Sequence, residues 1–239
     1  MPLRHRFAPG AYVALAITDV ALAASSSPTT RRFRRLTKPL LMPSLGTAFA
    51  LSLGDRDIND GGLLRGGTVA AQALSGVGDV ALLSKTEPAF LGGLGAFFGA
   101  HIAYTAAFTA AGRPLSDRSN RGGVNAAALV FTVAGPVMAG AAGRKSRRLR
   151  VPVLAYAGIL SAMFAASTRL DPTIPESARR TVVAGTALFL ASDSILGARE
   201  FLLTEKRPLT DAAVMATYTA GQGLIARGVA QAVRSRAGQ

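Results

Sequence analysis

Two aspartates that lie inside apolar stretches are the residues of this sequence best suited to acid–base chemistry. Asp79 ends the segment Ser-Gly-Val-Gly-Asp, and Asp193 lies in the segment Ala-Ser-Asp-Ser. An ionisable side chain at membrane depth costs about 3 kcal/mol, so it normally faces a protein interior and marks a functional site. Two such carboxyls form a candidate acid/base pair, in which one donates a proton and the other accepts one. The alternative role for both is hydrogen bonding between helices.

A histidine and a tyrosine share one face of another apolar segment. His101 and Tyr104 are three residues apart, and Phe97 and Phe108 bracket them at helical spacing. A lone histidine is most often a satisfied core residue. Zinc binding is poorly supported, because the only other histidine is His5 and the chain has no cysteine. The sequence therefore predicts neither a metal nor a cofactor.

Three further polar side chains occupy positions from which they could reach the same interior. Lys38 opens a predicted helix, where its ammonium either extends to the membrane interface or binds a lipid phosphate. Tyr218 and Gln222 are four residues apart on the last predicted helix, so they share a face. They either hydrogen-bond into the interior or only pack there.

Three other charged residues are weaker candidates for a functional role. Glu200 follows Asp193 by seven residues and so projects from a similar face, two turns nearer the end of its helix. Arg199 is beside it, and an interfacial ion pair is the simplest explanation for this position. Asp19, on the first predicted helix, is a weaker candidate of the same kind as the two aspartates.

The elements that position these residues are predicted to be membrane-spanning helices. Of the 239 residues, 49% are hydrophobic and 17% are charged, and the mean hydropathy is +0.32. This is more apolar surface than one soluble core would bury, and a span needs about 20 mostly apolar residues. We expect an all-α fold, a polytopic transmembrane bundle of about eight helices, over residues 9–24, 37–53, 63–84, 89–111, 124–142, 151–168, 178–203 and 210–233.

The bundle is predicted to form one domain, because no connection between spans is longer than about a dozen residues. Residues 1–8 form a short basic segment, residues 9–233 the domain, and residues 234–239 a polar tail. The first helix also fits a cleavable signal peptide, since a basic start, an apolar run and small residues follow in that order. Lys and Arg are nearly balanced between the two sides, so orientation stays open, as does the oligomeric state.

The net charge of +14 does not indicate nucleic-acid binding here. The basic residues cluster in short segments between apolar runs, where they would meet anionic lipid headgroups, so the bilayer is the predicted partner. The chain has no tryptophan, which leaves any interfacial aromatic belt to its four tyrosines. Its enrichment in Ala, Gly and Arg resembles that of a GC-rich bacterial genome, which favours a bacterial plasma membrane as the location.

Five segments resemble, in order, the motifs of the YhhN-like lysoplasmalogenase family. They are residues 36–43 on the second predicted helix, 78–83 on the third, 90–97 with His101 and Tyr104 on the fourth, Ser192 and Asp193 through residue 201 on the seventh, and Tyr218 with Gln222 on the eighth. The resemblance covers residues from about 10 to 230. One departure is Arg199-Glu200, where the family pattern has an amide followed by a basic residue.

The resemblance implies an eight-helix membrane enzyme acting on a lysophospholipid or other ether lipid. Its expected reaction cleaves the vinyl ether bond of lysoplasmalogens to a fatty aldehyde and glycerophosphoethanolamine or glycerophosphocholine. Acid catalysis suits this bond, because protonating the carbon remote from oxygen leaves an oxocarbenium ion that water attacks. Asp79 and Asp193 are the expected catalytic residues. The expected substrate-binding or orienting residues are Lys38 at the phosphate, His101, Tyr104, Ser192, Tyr218 and Gln222, with Leu94, Phe97 and Phe98 along the hydrocarbon chain.

Two other classes of protein remain open at this point. A transporter or channel also uses buried aspartates and kinked helices, and its mark would be inverted repeats. The Gly-Asp pair of the third helix is weakly similar to the Ser-Asp pair of the seventh. These two helices run in the same direction, so the similarity does not indicate an inverted repeat. A non-catalytic lipid-binding protein would explain the basic connections but not two deep aspartates.

Overall fold

Eight α-helices make up the described chain, and no strand occurs within the described residues. The computed structural model of the protein describes residues 4–53, 62–84, 86–114, 117, 121–205 and 207–237, with side chains described between residues 9 and 235. The side chains of the predicted basic segment, His5 among them, and residues 238–239 of the predicted tail lie outside the described residues. The predicted all-α bundle of eight helices is confirmed.

The helices follow one another through short connections, and one 3-10 turn, Arg147–Leu149, joins the fifth to the sixth. Their bounds are α1 Arg4–Ala23, α2 Pro28–Leu51, α3 Gly62–Ala81, α4 Glu87–Ala110, α5 Gly122–Lys145, α6 Arg150–Ser167, α7 Glu176–Phe201 and α8 Pro208–Ala237.

The start of α2 differs most from the prediction. The helix begins at Pro28, well before the predicted residue 37. Ser27 caps it, because its Oγ accepts a hydrogen bond from the backbone N–H of Thr29 at 3.3 Å, and proline is well suited to the first helical position. The basic cluster at residues 31–35 therefore lies on the first turns of a helix and not in a connection. At the other end of the chain, α8 continues past the predicted residue 233.

Four described helices are long and apolar enough to cross a membrane: α4, α5, α7, and α6 with the turn before it. The apolar part of α1, Pro9–Ala23, is shorter. Large apolar side chains are exposed on the outer faces of α1 to α6, where a water-soluble protein would carry polar residues. The protein is an integral membrane protein.

Helix α3, which is not among these four, carries its polar residues on the inner face. Thr68, Gln72, Ser75 and Asp79 recur at helical spacing and are all buried. The opposite face exposes valines at positions 69, 77 and 80. A helix that is polar inside and apolar outside suits a bundle surrounded by lipid.

Helices α7 and α8 pack closely through glycines. An ideal Cβ added at Gly185 would lie 2.7 Å from the backbone nitrogen of Ile225 and 2.8 Å from the carbonyl oxygen of Gly221. Only glycine leaves room for this approach of two backbones. Helix α8 also contacts α1, α2 and α3, and its side chains Ile225 and Val229 are fully buried. The core of the bundle therefore lies along α8.

We expect Gly185→Ala to lower the free energy of unfolding by about 1–3 kcal/mol, because the added methyl group overlaps backbone atoms of α8. Thermal unfolding in detergent measures the change. Gly140→Ala on α5 is the control, since nothing lies within 4 Å of a Cβ added there. That variant should be neutral or slightly more stable, because Ala is favoured over Gly in a helix. Equal melting temperatures for wild type and Gly185→Ala would contradict the close packing.

Candidate functional site

Asp79 on α3 is held by groups from two other helices. The phenol of Tyr218 on α8 donates a hydrogen bond to Asp79 Oδ2 at 2.7 Å, and Lys38 Nζ on α2 lies 3.4 Å from Oδ1. Asp79 is buried, and only 12% of the Lys38 side chain is exposed. A buried carboxylate needs such partners to offset its lost hydration. Lys38 thus faces the interior and pairs with Asp79, whereas the sequence suggested the interface or a lipid phosphate.

Asp193 on α7 is held by a different pair of helices. Tyr156 on α6 donates a hydrogen bond to Asp193 Oδ2 at 2.5 Å, and His101 Nε2 on α4 lies 3.3 Å from the same oxygen. His101 is fully buried, and its Nδ1 has no hydrogen-bond partner within the described part of the chain. No group of three or more His, Asp or Glu side chains among the described residues could hold a metal ion. The chemistry that this centre offers is proton transfer between a carboxyl group, an imidazole and a phenol.

Aromatic rings separate the two aspartates. The ring of Phe189 lies 4.9 Å from that of His101 and 5.4 Å from that of Tyr218, measured between centroids. Phe97 packs edge-on against both Phe189 and Tyr218. None of the hydrogen bonds described joins the two carboxylates to each other. The site therefore consists of two neighbouring centres, which we call the Asp79 centre and the Asp193 centre.

An apolar cleft between α4, α5, α6 and α7 reaches the Asp193 centre. It contains about 830 Å³ of space not filled by atoms, part of it open to the outside. Asp193 and Tyr156 lie on its wall, among side chains that are mostly apolar. Leu94 and Phe97 line it as expected for a hydrocarbon path, whereas Phe98 and Asp79 are not among its lining residues. The cleft could hold a chain with its reactive bond near Asp193.

A third polar group lies beside the Asp79 centre. Tyr104 on α4 donates a hydrogen bond to Gln222 Oε1 on α8 at 2.7 Å, and Gln222 Nε2 donates to Ser75 Oγ on α3 at 3.0 Å. Both amide atoms of the neighbouring Gln72 are buried and have no partner among the described residues. Leaving a buried amide group unpaired is costly.

Two candidate residues predicted from the sequence, Ser192 and Asp19, form contacts between helices outside the cleft. Ser192 Oγ donates a hydrogen bond to the carbonyl oxygen of Val214 at 3.0 Å, which ties α7 to α8. Asp19 is fully buried, and it pairs with Arg34 at 3.2 Å and accepts a hydrogen bond from Thr37 at 2.6 Å. These contacts tie α1 to α2.

Arg199 and Glu200 each form an ion pair with another helix. Arg199 Nε lies 2.7 Å from Asp211 Oδ1 on α8, and Lys145 Nζ at the end of α5 lies 2.5 Å from Glu200 Oε1. Adjacent residues on a helix do not face each other, so the two side chains diverge. Glu200 also lines the cleft, near the C-terminal end of α7.

All four tyrosines donate hydrogen bonds inside the bundle, so they do not form the interfacial aromatic belt that the sequence left open. Tyr12 donates to the carbonyl oxygen of Thr219 at 2.7 Å, and Tyr104, Tyr156 and Tyr218 have the partners given above. Tyr156 is not among the candidates predicted from the sequence. The signal that could have found it is a rare phenol within an apolar span, because a buried phenol needs a partner.

The chain matches one known protein family over most of its length. A family model described as the YhhN family matches residues 33–229. The chain belongs to the YhhN family. No curated protein and no solved structure matches it. In this YhhN-family protein the matched region contains both aspartate centres and the whole cleft, and α1 lies before it.

The ion pair of the Asp79 centre gives a stability prediction for this YhhN-family protein. Asp79→Leu should lower the free energy of unfolding by about 3–5 kcal/mol, because Lys38 is left as an unpaired buried cation. The double variant Lys38→Met/Asp79→Leu should recover most of that loss, since it removes both charges. Unfolding of the three proteins in one detergent measures this. A double variant no more stable than the single one would contradict the pairing.

Proposed function

We propose that this YhhN-family protein hydrolyses the vinyl ether bond of lysoplasmalogens, releasing a fatty aldehyde and glycerophosphoethanolamine or glycerophosphocholine. The observation that carries the proposal is a carboxyl group on the wall of an apolar cleft, with Tyr156 and His101 on one of its oxygens. Membership in the family supports the reaction class. We also propose a bacterial plasma membrane as its location, on the basis of the Ala-, Gly- and Arg-rich composition.

The Asp193 centre would supply the proton that starts the reaction. The Asp193 carboxyl donates it to the alkenyl carbon remote from oxygen, the electrons of the double bond form the new C–H bond, and an oxocarbenium ion remains. The carboxylate left behind stabilises this cation. Water adds to the charged carbon and returns a proton to Asp193, which gives a hemiacetal. The hemiacetal collapses when its bond to the glycerol oxygen breaks, its hydroxyl oxygen becomes the aldehyde oxygen, and the hydroxyl proton passes to the glycerol oxygen. One water is consumed, and nothing is oxidised.

His101 and Tyr156 would orient the reacting carboxyl. Both contact Oδ2 of Asp193, which leaves Oδ1 for the substrate or for water. A carboxyl group whose rotation is fixed by two partners loses less orientational freedom in the transition state. Tyr104 lies one turn after His101 but bonds to Gln222, so its contribution is indirect.

Asp79 does not line the cleft and would act on it indirectly, through Tyr218. Its partner Tyr218 packs against Phe97, which lines the cleft. We infer that Asp79 and Lys38 fix Tyr218 and this part of the wall, and that Asp79 is a positioning residue.

Transport is the second candidate function, and the inward polar face of α3 favours it. Thr68, Gln72, Ser75 and Asp79 form a buried polar row, and such rows also serve proton or solute paths. Release of fatty aldehyde by purified protein separates the two functions, because a transporter leaves the lipid intact.

We expect Asp193→Asn to lower the rate of aldehyde release at least about 100-fold, the usual effect of removing a general acid. Tyr156→Phe should lower kcat by roughly tenfold with a smaller change in KM, because the carboxyl loses one orienting hydrogen bond. Aldehyde release from a lysoplasmalogen in detergent, with chelator present, measures both. Glu176→Gln on the surface is the control. Full activity in folded Asp193→Asn protein would remove Asp193 from the mechanism.

The double variant Lys38→Met/Asp79→Leu separates catalysis from structure at the Asp79 centre. If Asp79 is a positioning residue, the stable double variant should retain measurable hydrolysis, with kcat lowered by about tenfold and KM little changed. Complete loss of hydrolysis in a double variant with wild-type stability would instead indicate that Asp79 takes part in the chemistry.

A further inference from the structure

One ion pair lies on the rim of the same cleft. Lys145 Nζ contacts Glu200 Oε1 at 2.5 Å, lies 3.4 Å from the carbonyl oxygen of Glu200, and is 6.0 Å from the ring centre of Phe201. Glu200 and Phe201 both line the cleft. The Lys145 side chain is 52% exposed and that of Glu200 19% exposed. An exposed cation and a more buried carboxylate thus flank one end of an apolar groove.

The surface around this end of the cleft is strongly basic. Exposed cations follow one another through the turn between α5 and α6, at Arg144, Arg147, Arg148 and Arg150. Arg199 on α7 is held by Asp211 on α8. These exposed cations are screened by salt and attract every phosphate-bearing ligand, so selection between head groups depends on the less exposed Glu200 and its partner Lys145.

The rim and the Asp193 centre are separated by a distance that fits one glycerophospholipid. Glu200 follows Asp193 by seven residues on α7, which corresponds to about 10 Å along the helix axis. In a lysoplasmalogen, seven covalent bonds join the phosphorus to the vinyl carbon that is protonated, which is roughly 9 Å at ordinary bond lengths. A phosphate at the rim would therefore bring the vinyl ether to the depth of Asp193.

We propose that Lys145 and Glu200 form the head-group subsite of the cleft, in which Lys145 binds the phosphate and Glu200 the ammonium of a zwitterionic lysophospholipid. The inference rests on the proposed function, which it deepens. In the free protein the two side chains neutralise each other. A zwitterionic head group offers each a new partner of opposite charge, so binding leaves no charge unpaired.

The subsite predicts a preference between head groups. A phosphate monoester without an ammonium would pair with Lys145 but leave Glu200 beside an anion. Like charges across an interface disfavour binding, so this ligand should bind more weakly than a phosphocholine or phosphoethanolamine.

Saturated 1-O-alkyl lysophospholipids test binding to the subsite without hydrolysis, because they lack the double bond that is protonated. Binding to purified protein in detergent is measured for ligands with phosphocholine, phosphoethanolamine, phosphate alone, or a free glycerol hydroxyl. Wild type should bind the two zwitterionic ligands about tenfold more tightly than the phosphate monoester. Glu200→Gln should abolish this preference. Lys145→Met should weaken every phosphate-bearing ligand about tenfold and leave the alkylglycerol unchanged.

An ion pair at the start of α7 provides matched controls. Arg180 Nη2 lies 2.6 Å from Glu176 Oε1, and both side chains are strongly exposed. Arg180→Gln and Glu176→Gln should leave all four affinities unchanged. A wild-type protein that does not distinguish the head groups, or a Glu200→Gln protein that keeps the preference, would overturn the subsite.

The binding experiment and the hydrolysis experiment can reject the subsite and the hydrolase independently of each other. Head-group preference without aldehyde release from a vinyl ether substrate would support the subsite and reject the hydrolase. Aldehyde release without head-group preference would keep the hydrolase and reject the subsite.

Discussion

Lipid offers no hydrogen-bond partner to a side chain, so a polar group inside this bundle depends on its own helix or on a neighbouring helix for one. Several described contacts meet this constraint between helices: Asp19 joins α1 to α2, Ser192 joins α7 to α8, and Gln222 joins α8 to both α3 and α4. In a membrane these bonds, together with close packing at glycines, decide which helices are neighbours. The candidate functional site is the place where such contacts converge on two carboxylates.

The two centres differ in what surrounds them. Asp79 has a cation and a phenol as partners and lies away from the cleft, whereas Asp193 has an imidazole and a phenol and faces it. A lysine beside a carboxylate stabilises its charge, while an imidazole can both accept and donate a proton. The layer of rings around Phe189 lies between the two centres. This difference in environment is our reason for giving the aspartates different roles.

The sequence predicted what depends on spacing along one helix. The eight helices followed from the length of the apolar stretches, and the shared face of His101 and Tyr104 followed from their separation of three residues. Pairings between helices could not be predicted, because Lys38 and Asp79, or Tyr156 and Asp193, are far apart in sequence and helix adjacency is not a local property. The early start of α2 was missed for another reason, since Ser-Pro marks both a connection and a helix cap.

The hydrogen bonds of the tyrosines give the protein an unusual optical property. The chain has no tryptophan, so its near-ultraviolet absorption and emission come mainly from four phenols, all of which bond inside the bundle. Tyr156 and Tyr218 each donate to one of the two aspartates, and a phenol's spectrum responds to the charge of its acceptor. The lipid-facing surface is nearly silent at these wavelengths. The intrinsic spectrum of the unlabelled protein therefore reports events at the two carboxylates through two of its four phenols, while Tyr12 and Tyr104 report the packing of the bundle around them.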